Sequence, residues 1–189
     1  MRYVRRRRRD PEGSDAGFTL IELLVVLLII GILLGIAVPT YLSVTGGAKT
    51  NAAESNLQTA LTGMKSIYAT QLNGSYLTGS SSASTASTTL ATDLGAAGTD
   101  LTYNTTGSSN ASTVYVDVVD ANQAVLVNSD ATNCYAIADI ESGNAAAGTT
   151  GTGTMASGTY WATWPASGSA CTTPASGLSW SATPQNPAA

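Results

Sequence analysis

The sequence of 189 residues is poor in charge and contains no histidine. Charged residues make up 11% of it, against about 25% in ordinary soluble domains. The absence of histidine excludes His-based catalytic triads, His general bases and His metal ligands. Residues 1–17 carry six arginines and three acids, net +3, whereas the rest of the chain carries two lysines and nine acids, net −7. This split predicts that the two parts lie in different compartments.

A long apolar segment follows the basic leader. Residues 18–38 contain one charge, Glu22, and at about 1.5 Å per residue they span about 31 Å, enough to cross a hydrocarbon core. The arginines before them place the N-terminus in the cytoplasm and everything after Pro39 outside. A plain signal anchor remains an alternative. A secretory signal peptide is disfavoured because the apolar stretch is long and no convincing small-residue cleavage site follows it.

Glu22 is the unusual residue of this segment. A carboxylate in an apolar helix costs about 2.5–3.5 kcal/mol at the bilayer centre, and less near the interface. Two interpretations stay open from the residue alone. The carboxylate sits at headgroup depth near the positive end of the helix dipole, or it awaits a cationic partner in an assembly.

The string GFTLIE at residues 17–22, followed by an apolar run with Gly31 and Pro39, resembles the N-terminal signature of type IV pilins and the related pseudopilins. The resemblance covers about residues 16–42 and says little about residues 78–189. Two features depart from the commonest pattern. The leader is longer than is typical of type IVa pilins, although Phe18 is typical of them, and the later part of the chain is richer in Thr, Ser and Ala.

The resemblance implies specific processing and specific partners. A prepilin peptidase would cut between Gly17 and Phe18, and the new amino group of Phe18 would be N-methylated. Glu22 and Thr19 would act in assembly, with Glu22 neutralising the Phe18 amino group of a neighbouring subunit. The implied partners are further copies in a homo-oligomeric helical filament, an assembly ATPase and a platform membrane protein.

Three residues of the apolar segment predict a local departure from regular helix. Gly31 and Gly35 form a G-x-x-x-G spacing that lets two membrane helices pack closely. The resemblance implies instead that the stretch up to Pro39 loses helicity when a filament forms. Pro39 lacks an N–H, so a kink is expected there in either case.

The next segment has the pattern of an amphipathic helix. Apolar residues recur every three or four positions through residues 46–77: Leu57, Leu61, Met64, Tyr68 and Leu72. Joined to residues 18–45, with an interruption at Gly46 and Gly47, this predicts one long kinked helix. Its apolar stripe requires a covering sheet.

The remainder predicts a small α+β, pilin-like fold. Residues 78–112 are Ser/Thr-rich and predict a connecting loop with one short helical turn near Leu90. Residues 113–177 predict an antiparallel sheet of about four strands, at 113–119, 124–128, 134–140 and 159–164. Residues 178–189, which contain two prolines, predict a flexible tail.

Cys134 and Cys171 are the only cysteines. Both follow the membrane segment and therefore lie in an oxidising compartment, which favours a disulfide. Such a bond stabilises by about 4 kcal/mol on the chain-entropy model. A metal pair is the rival, but it lacks further Cys or His ligands. The resemblance adds that pilins often carry a disulfide-closed loop near the C-terminus.

No sequence motif predicts catalysis. The chain has no G-x-S-x-G, P-loop or G-x-G-x-x-G motif, so we predict no enzyme, no cofactor and no metal. Calcium bound by Asp117, Asp120 and Asp130 stays an alternative, without EF-hand spacing to support it. The net charge of −7 after residue 17 disfavours binding to nucleic acid.

The sequence thus predicts a structural subunit of a type IV pilus. Before assembly it would cross the cytoplasmic membrane once, and afterwards it would lie in an extracellular filament. The alternatives are a type II secretion pseudopilin, a minor pilin acting as a binding module, and a membrane-anchored extracellular enzyme.

Overall fold

A computed structural model of the protein describes residues 17–77, 82–142, 155–166, 170–172 and 179–183. Within these residues it shows two helices followed by five strands. The chain divides into two compact units, Met1–Val44 and Thr45–Ala189. In chain order the elements are α1 (Leu20–Thr70), α2 (Ala83–Ala96), β1 (Thr102–Asn104), β2 (Thr113–Asp120), β3 (Gln123–Ser129), β4 (Asn133–Ile140) and β5 (Gly158–Pro165).

The five strands form one sheet in the order β1-β2-β3-β4-β5. β2 to β5 pair antiparallel with their neighbours, close to the four predicted segments. β1 pairs parallel with β2, Thr102 opposite Thr113. The sheet is therefore mixed and has five strands, which corrects the predicted antiparallel sheet of about four. Three residues are too few to show an alternating pattern, so β1 left no signal in the sequence.

The second half of α1 buries one stripe against the sheet. Its buried residues recur at intervals of four and three, which confirms the predicted amphipathic helix: Ala53, Leu57, Ala60, Met64 and Ile67. Leu61 and Tyr68, also predicted as core, are partly buried at the edge of this cluster. The helix ends at Thr70, and Asn73 then adopts φ 54°, the left-handed conformation that Asn tolerates at such ends.

Helix α2 corrects the prediction of a loop over residues 78–112. Ser82 caps it, accepting a hydrogen bond from the Thr85 N–H. Its Ser- and Thr-rich sequence has weak helix propensity, and the helix is stabilised by packing of Ala86, Leu90, Ala91 and Leu94 into the core. The Ser87 hydroxyl also accepts a 2.8 Å bond from the Val118 N–H, at the irregular end of β2.

The opposite face of the sheet carries a second cluster that includes the disulfide. Cys134 and Cys171 are bonded, with their Cα atoms 5.7 Å apart, so that prediction is confirmed. Ser181 pairs with Trp161 through two main-chain hydrogen bonds of 2.7 and 2.9 Å. The predicted flexible tail over residues 178–189 is therefore wrong at Ser181, while residues 184–189 lie outside the described residues.

Buried carboxylates near the two ends of β4 connect the sheet to α1. At one end, Asp130 accepts bonds from the Thr50 and Tyr135 hydroxyls at 2.8 and 2.7 Å. Two main-chain N–H groups, at Thr132 and Asn133, also bond to it. Burial alone would raise the pKa of Asp130, but these hydrogen bonds to the charged form outweigh burial and lower it.

At the other end, Asp139 lies between α1 and β5. The Lys65 ammonium is 2.8 Å from its Oδ1, the Tyr76 hydroxyl donates to its Oδ2 at 2.8 Å, and the Thr159 hydroxyl donates at 3.2 Å. Burial, and then the charge of Asp139, raise the pKa of Tyr76 far above its ordinary value. The buried Asp139 carboxylate thus accepts hydrogen bonds from α1, from Tyr76 and from β5, which makes it a structural link.

Candidate assembly site

The first half of α1 exposes its apolar side chains on every side. Every residue from Gly17 to Val44 is exposed. This helix is long and apolar enough to cross a membrane. Removing apolar surface from water is worth about 25 cal/mol per Å², so this half requires lipid or other protein around it.

Glu22 is held by a capping box at the start of α1. Its Oε2 accepts a 3.0 Å hydrogen bond from the Thr19 N–H and a 2.8 Å bond from the Thr19 hydroxyl. In return the Glu22 N–H donates to the Thr19 Oγ1 at 3.3 Å. Among the described contacts Glu22 Oε1 accepts no hydrogen bond. The box satisfies N–H groups that a helix start otherwise leaves unpaired.

This capping box is a feature that the interpretation of Glu22 missed. Thr19-x-x-Glu22 is the S/T-x-x-E signature that places a helix start in a sequence, so the signal was present. The structure brings the two residues together through local geometry. One carboxylate oxygen serves the cap, and the other remains available to a further donor.

The main chain around the proposed cleavage point is not helical. Gly17, Phe18 and Thr19 precede the first helical residue, and the Phe18 side chain is 88% exposed. The first intrahelical bond joins the Leu23 N–H to the Thr19 carbonyl at 3.3 Å. The Gly17–Phe18 peptide bond therefore lies just outside the capped helix, while both residues of the capping box follow it in the chain.

Gly31, Gly35 and Pro39 all lie within α1, which is assigned as helix from Leu20 to Thr70. A Cβ at either glycine would meet no atom within 4 Å, so the chain itself leaves both positions open to close approach. Pro39 cannot donate to the Gly35 carbonyl, and the Thr40 hydroxyl bonds to the next carbonyl, that of Ile36, at 3.0 Å. Loss of helicity on assembly stays a prediction.

The three aspartates considered for calcium do not form one site. Asp130 is occupied by the hydrogen bonds described above, and Asp120 accepts a 2.7 Å bond from the Asn122 N–H at its own turn. Within the described ranges, no group of three His, Cys, Asp or Glu side chains is placed to hold a metal ion.

The fold thus consists of an exposed apolar helix segment, capped at its start, followed by an α+β unit. The model of the prokaryotic N-terminal methylation motif matches residues 14–38. The chain is 43% identical over 54 residues to the type IV major pilin protein PilA of Myxococcus xanthus (strain DK1622), a match that covers 29% of this chain and 24% of that relative. No solved structure matches the chain. The N-terminal segment is thus similar to that of a type IV major pilin, and the long helix packed on a mixed sheet is a pilin-like α+β fold.

Proposed function

We propose that this chain is a structural subunit of a type IV pilus. The observation that carries the proposal is the exposed apolar half of α1, whose start is fixed by the Thr19–Glu22 capping box. Such a segment is stable in a bilayer, and it is equally able to pack against copies of itself. The proposal assigns the chain a structural role and no catalytic one.

Processing comes first in the proposed sequence of events. The subunit crosses the cytoplasmic membrane once, with its arginine-rich leader in the cytoplasm. Prepilin peptidase cuts after Gly17, and the amino group of Phe18 is then methylated. The cut removes the leader and leaves the capping box in the mature chain, so the helix start does not depend on the leader.

Assembly then provides a cation for Glu22. The Phe18 amino group of a neighbouring subunit approaches Glu22 Oε1, which the capping box leaves unused. Two charges that are costly in hydrocarbon become one ion pair. Because a subunit one turn out of register would leave both charges unpaired, the pair sets register more than it adds stability.

Repetition of this contact produces a filament. Phe18 and Glu22 belong to different surface patches of the subunit, so the contact between them is heterologous. Such a contact can repeat from subunit to subunit without closing into a ring. An assembly ATPase and a platform membrane protein are the proposed machinery that adds subunits. The finished filament lies outside the cell, with its apolar helices inside it and the units of residues 45–189 towards solvent.

Mass spectrometry of material sheared from the cell surface tests the proposal. We expect this chain to be abundant there and to begin at methylated Phe18. Methylated Phe18 found in the membrane fraction alone would favour a type II secretion pseudopilin or a minor pilin. An intact leader on the membrane-bound chain would contradict the pilus proposal altogether.

A further inference from the structure

Two charged residues in the second half of α1 have no partner among the described residues. Residues 45–70 carry three charges: Lys49, Glu54 and Lys65. Lys65 is paired with Asp139 and lies 3.9 Å from Glu141. Lys49 is exposed, and neither an ion pair nor a hydrogen bond is described for it. The same holds for Glu54, although its side chain is partly buried.

Glu54 is the more unusual of the two. Burial raises the pKa of its carboxyl group, because a partly desolvated carboxylate without a hydrogen bond or a cation is unfavourable. A cation supplied from outside the subunit would remove this cost.

Lys49 of the same chain cannot supply that cation. Ion pairs along a helix join residues three or four apart, which lie on one face. Lys49 and Glu54 are five apart, so about 140° of helix rotation separates them. They therefore face different neighbours, which suits a contact between two different surfaces of identical subunits.

The spacing of the two residues matches that of the proposed Phe18–Glu22 contact. In that pair the acid follows the cation by four residues. In Lys49–Glu54 it follows by five residues, or about 7.5 Å. The order is the same, and the flexible lysine stem is long enough to absorb the difference. The two pairs therefore have the same polarity along the chain, with the cation before the acid.

We propose that Lys49 of each subunit forms an ion pair with Glu54 of a neighbouring copy in the filament. This inference rests on the proposed pilus function and adds a second register-setting contact to it, within residues 45–70. Exposed ion pairs are worth little, but a pair at an interface in which one partner is already desolvated contributes to orientation and to partner choice.

Charge reversal with rescue tests the pair. Filament yield is measured by shearing cells that express Lys49→Glu, Glu54→Lys, or both changes in one chain. Each single variant places like charges together, and we expect it to lower the yield about tenfold. The double variant restores opposite charges with reversed polarity, and we expect it to recover most of the yield. Asp100→Lys, at an exposed residue outside α1, controls for the change in net charge.

Three readings decide the outcome. The membrane pool of each variant, with its disulfide formed, shows that the chain is made and folded. Wild-type yield from single variants, or a double variant as poor as the singles, would show that Lys49 and Glu54 do not pair. If the wild-type chain itself forms no filament, the pilus proposal fails, and the ion pair fails with it.

Discussion

The two halves of α1 differ in how far their apolar side chains are buried. In residues 20–44 every side chain is exposed, whereas in residues 45–70 five residues are buried against the rest of their unit. The difference follows from the pattern of apolar residues in the sequence, which is continuous in the first half and recurs every three or four residues in the second. A stripe can be covered by one sheet, but a helix that is apolar all round needs partners on every side. One helix thus contains a segment whose apolar side chains are covered within the subunit and a segment whose apolar side chains require lipid or other subunits to cover them.

Polar groups show the same contrast. In the first half, Glu22 is satisfied by Thr19, three residues away on the same helix. In the second half, Thr50 bonds to Asp130 and Lys65 to Asp139, residues far away in the sequence. Local capping leaves Glu22 one oxygen for an outside partner, whereas both oxygens of Asp139 are used in tertiary contacts, and Asp130 uses one oxygen in its own turn and the other in tertiary contacts.

We expect the largest effect from substitution of Glu22, in the first half of α1. Glu22→Ala removes the carboxylate half of the capping box together with the charge, while Glu22→Gln keeps a residue able to form a capping box and removes the charge alone. We expect both variants to stay in the membrane. Because loss of one partner of a buried pair costs about 3–5 kcal/mol, their yield of sheared filaments should fall at least about a hundredfold.

Thr19→Ala is the matched control for that experiment. It keeps the charge and removes the cap, a loss of about 1 kcal/mol, so its yield should fall much less. Filaments from Glu22→Gln at wild-type yield would show that the charge has no role and that Glu22 acts through the cap.

Matched leucines in the two halves provide the next comparison. Leu57 is fully buried and Leu28 is 59% exposed. Leu57→Ala should lower the free energy of unfolding by about 2–5 kcal/mol, and Leu28→Ala by less than about 0.5 kcal/mol. Urea unfolding of the detergent-solubilised chain, followed by tryptophan fluorescence, measures both. Similar losses in the two variants would mean that the halves are not distinguished by burial.

Loss of the disulfide should affect the second unit alone. Changing Cys134 and Cys171 together to Ser is expected to lower the free energy of unfolding by about 2–4 kcal/mol, because the bond closes a long loop. The same urea titration measures it, and reduction of the wild-type protein should reproduce the loss. Membrane insertion of the variant should be normal. Failure to insert would contradict the expectation that the disulfide affects residues 45–189 alone.

Acid should weaken the link between Asp130 and α1. The pKa of Asp130 is lowered in the folded state, so its contribution is present above its unfolded value of about 3.9. That contribution is lost as the pH falls through the folded value. Asp130→Asn should cost about 1–3 kcal/mol at pH 7 and flatten the fall in urea midpoint towards low pH. Asp100→Asn is the control, and an equal pH profile in both variants would contradict the role of Asp130.

Local patterns explain which elements the sequence revealed. The alternation of Val114, Val116 and Val118 predicted β2, and the spacing of Leu57 and Met64 predicted the covered stripe of α1. Helix α2 and strand β1 were missed for a physical reason. The residues of α2 favour helix weakly, and packing of Leu90 and Leu94 decides its structure. β1 depends on a parallel partner eleven residues later.

By itself the sequence determined the apolar segment, the residues of the proposed processing site, the cysteine pair and most of the sheet, because each is encoded by composition, motif or short-range period. The tertiary structure alone decided how the charges of residues 45–70 are used. Asp139 satisfies Lys65, whereas Lys49 and Glu54 receive no described partner. That outcome depends on where β4 lies against α1, and no local pattern in the chain specifies that placement.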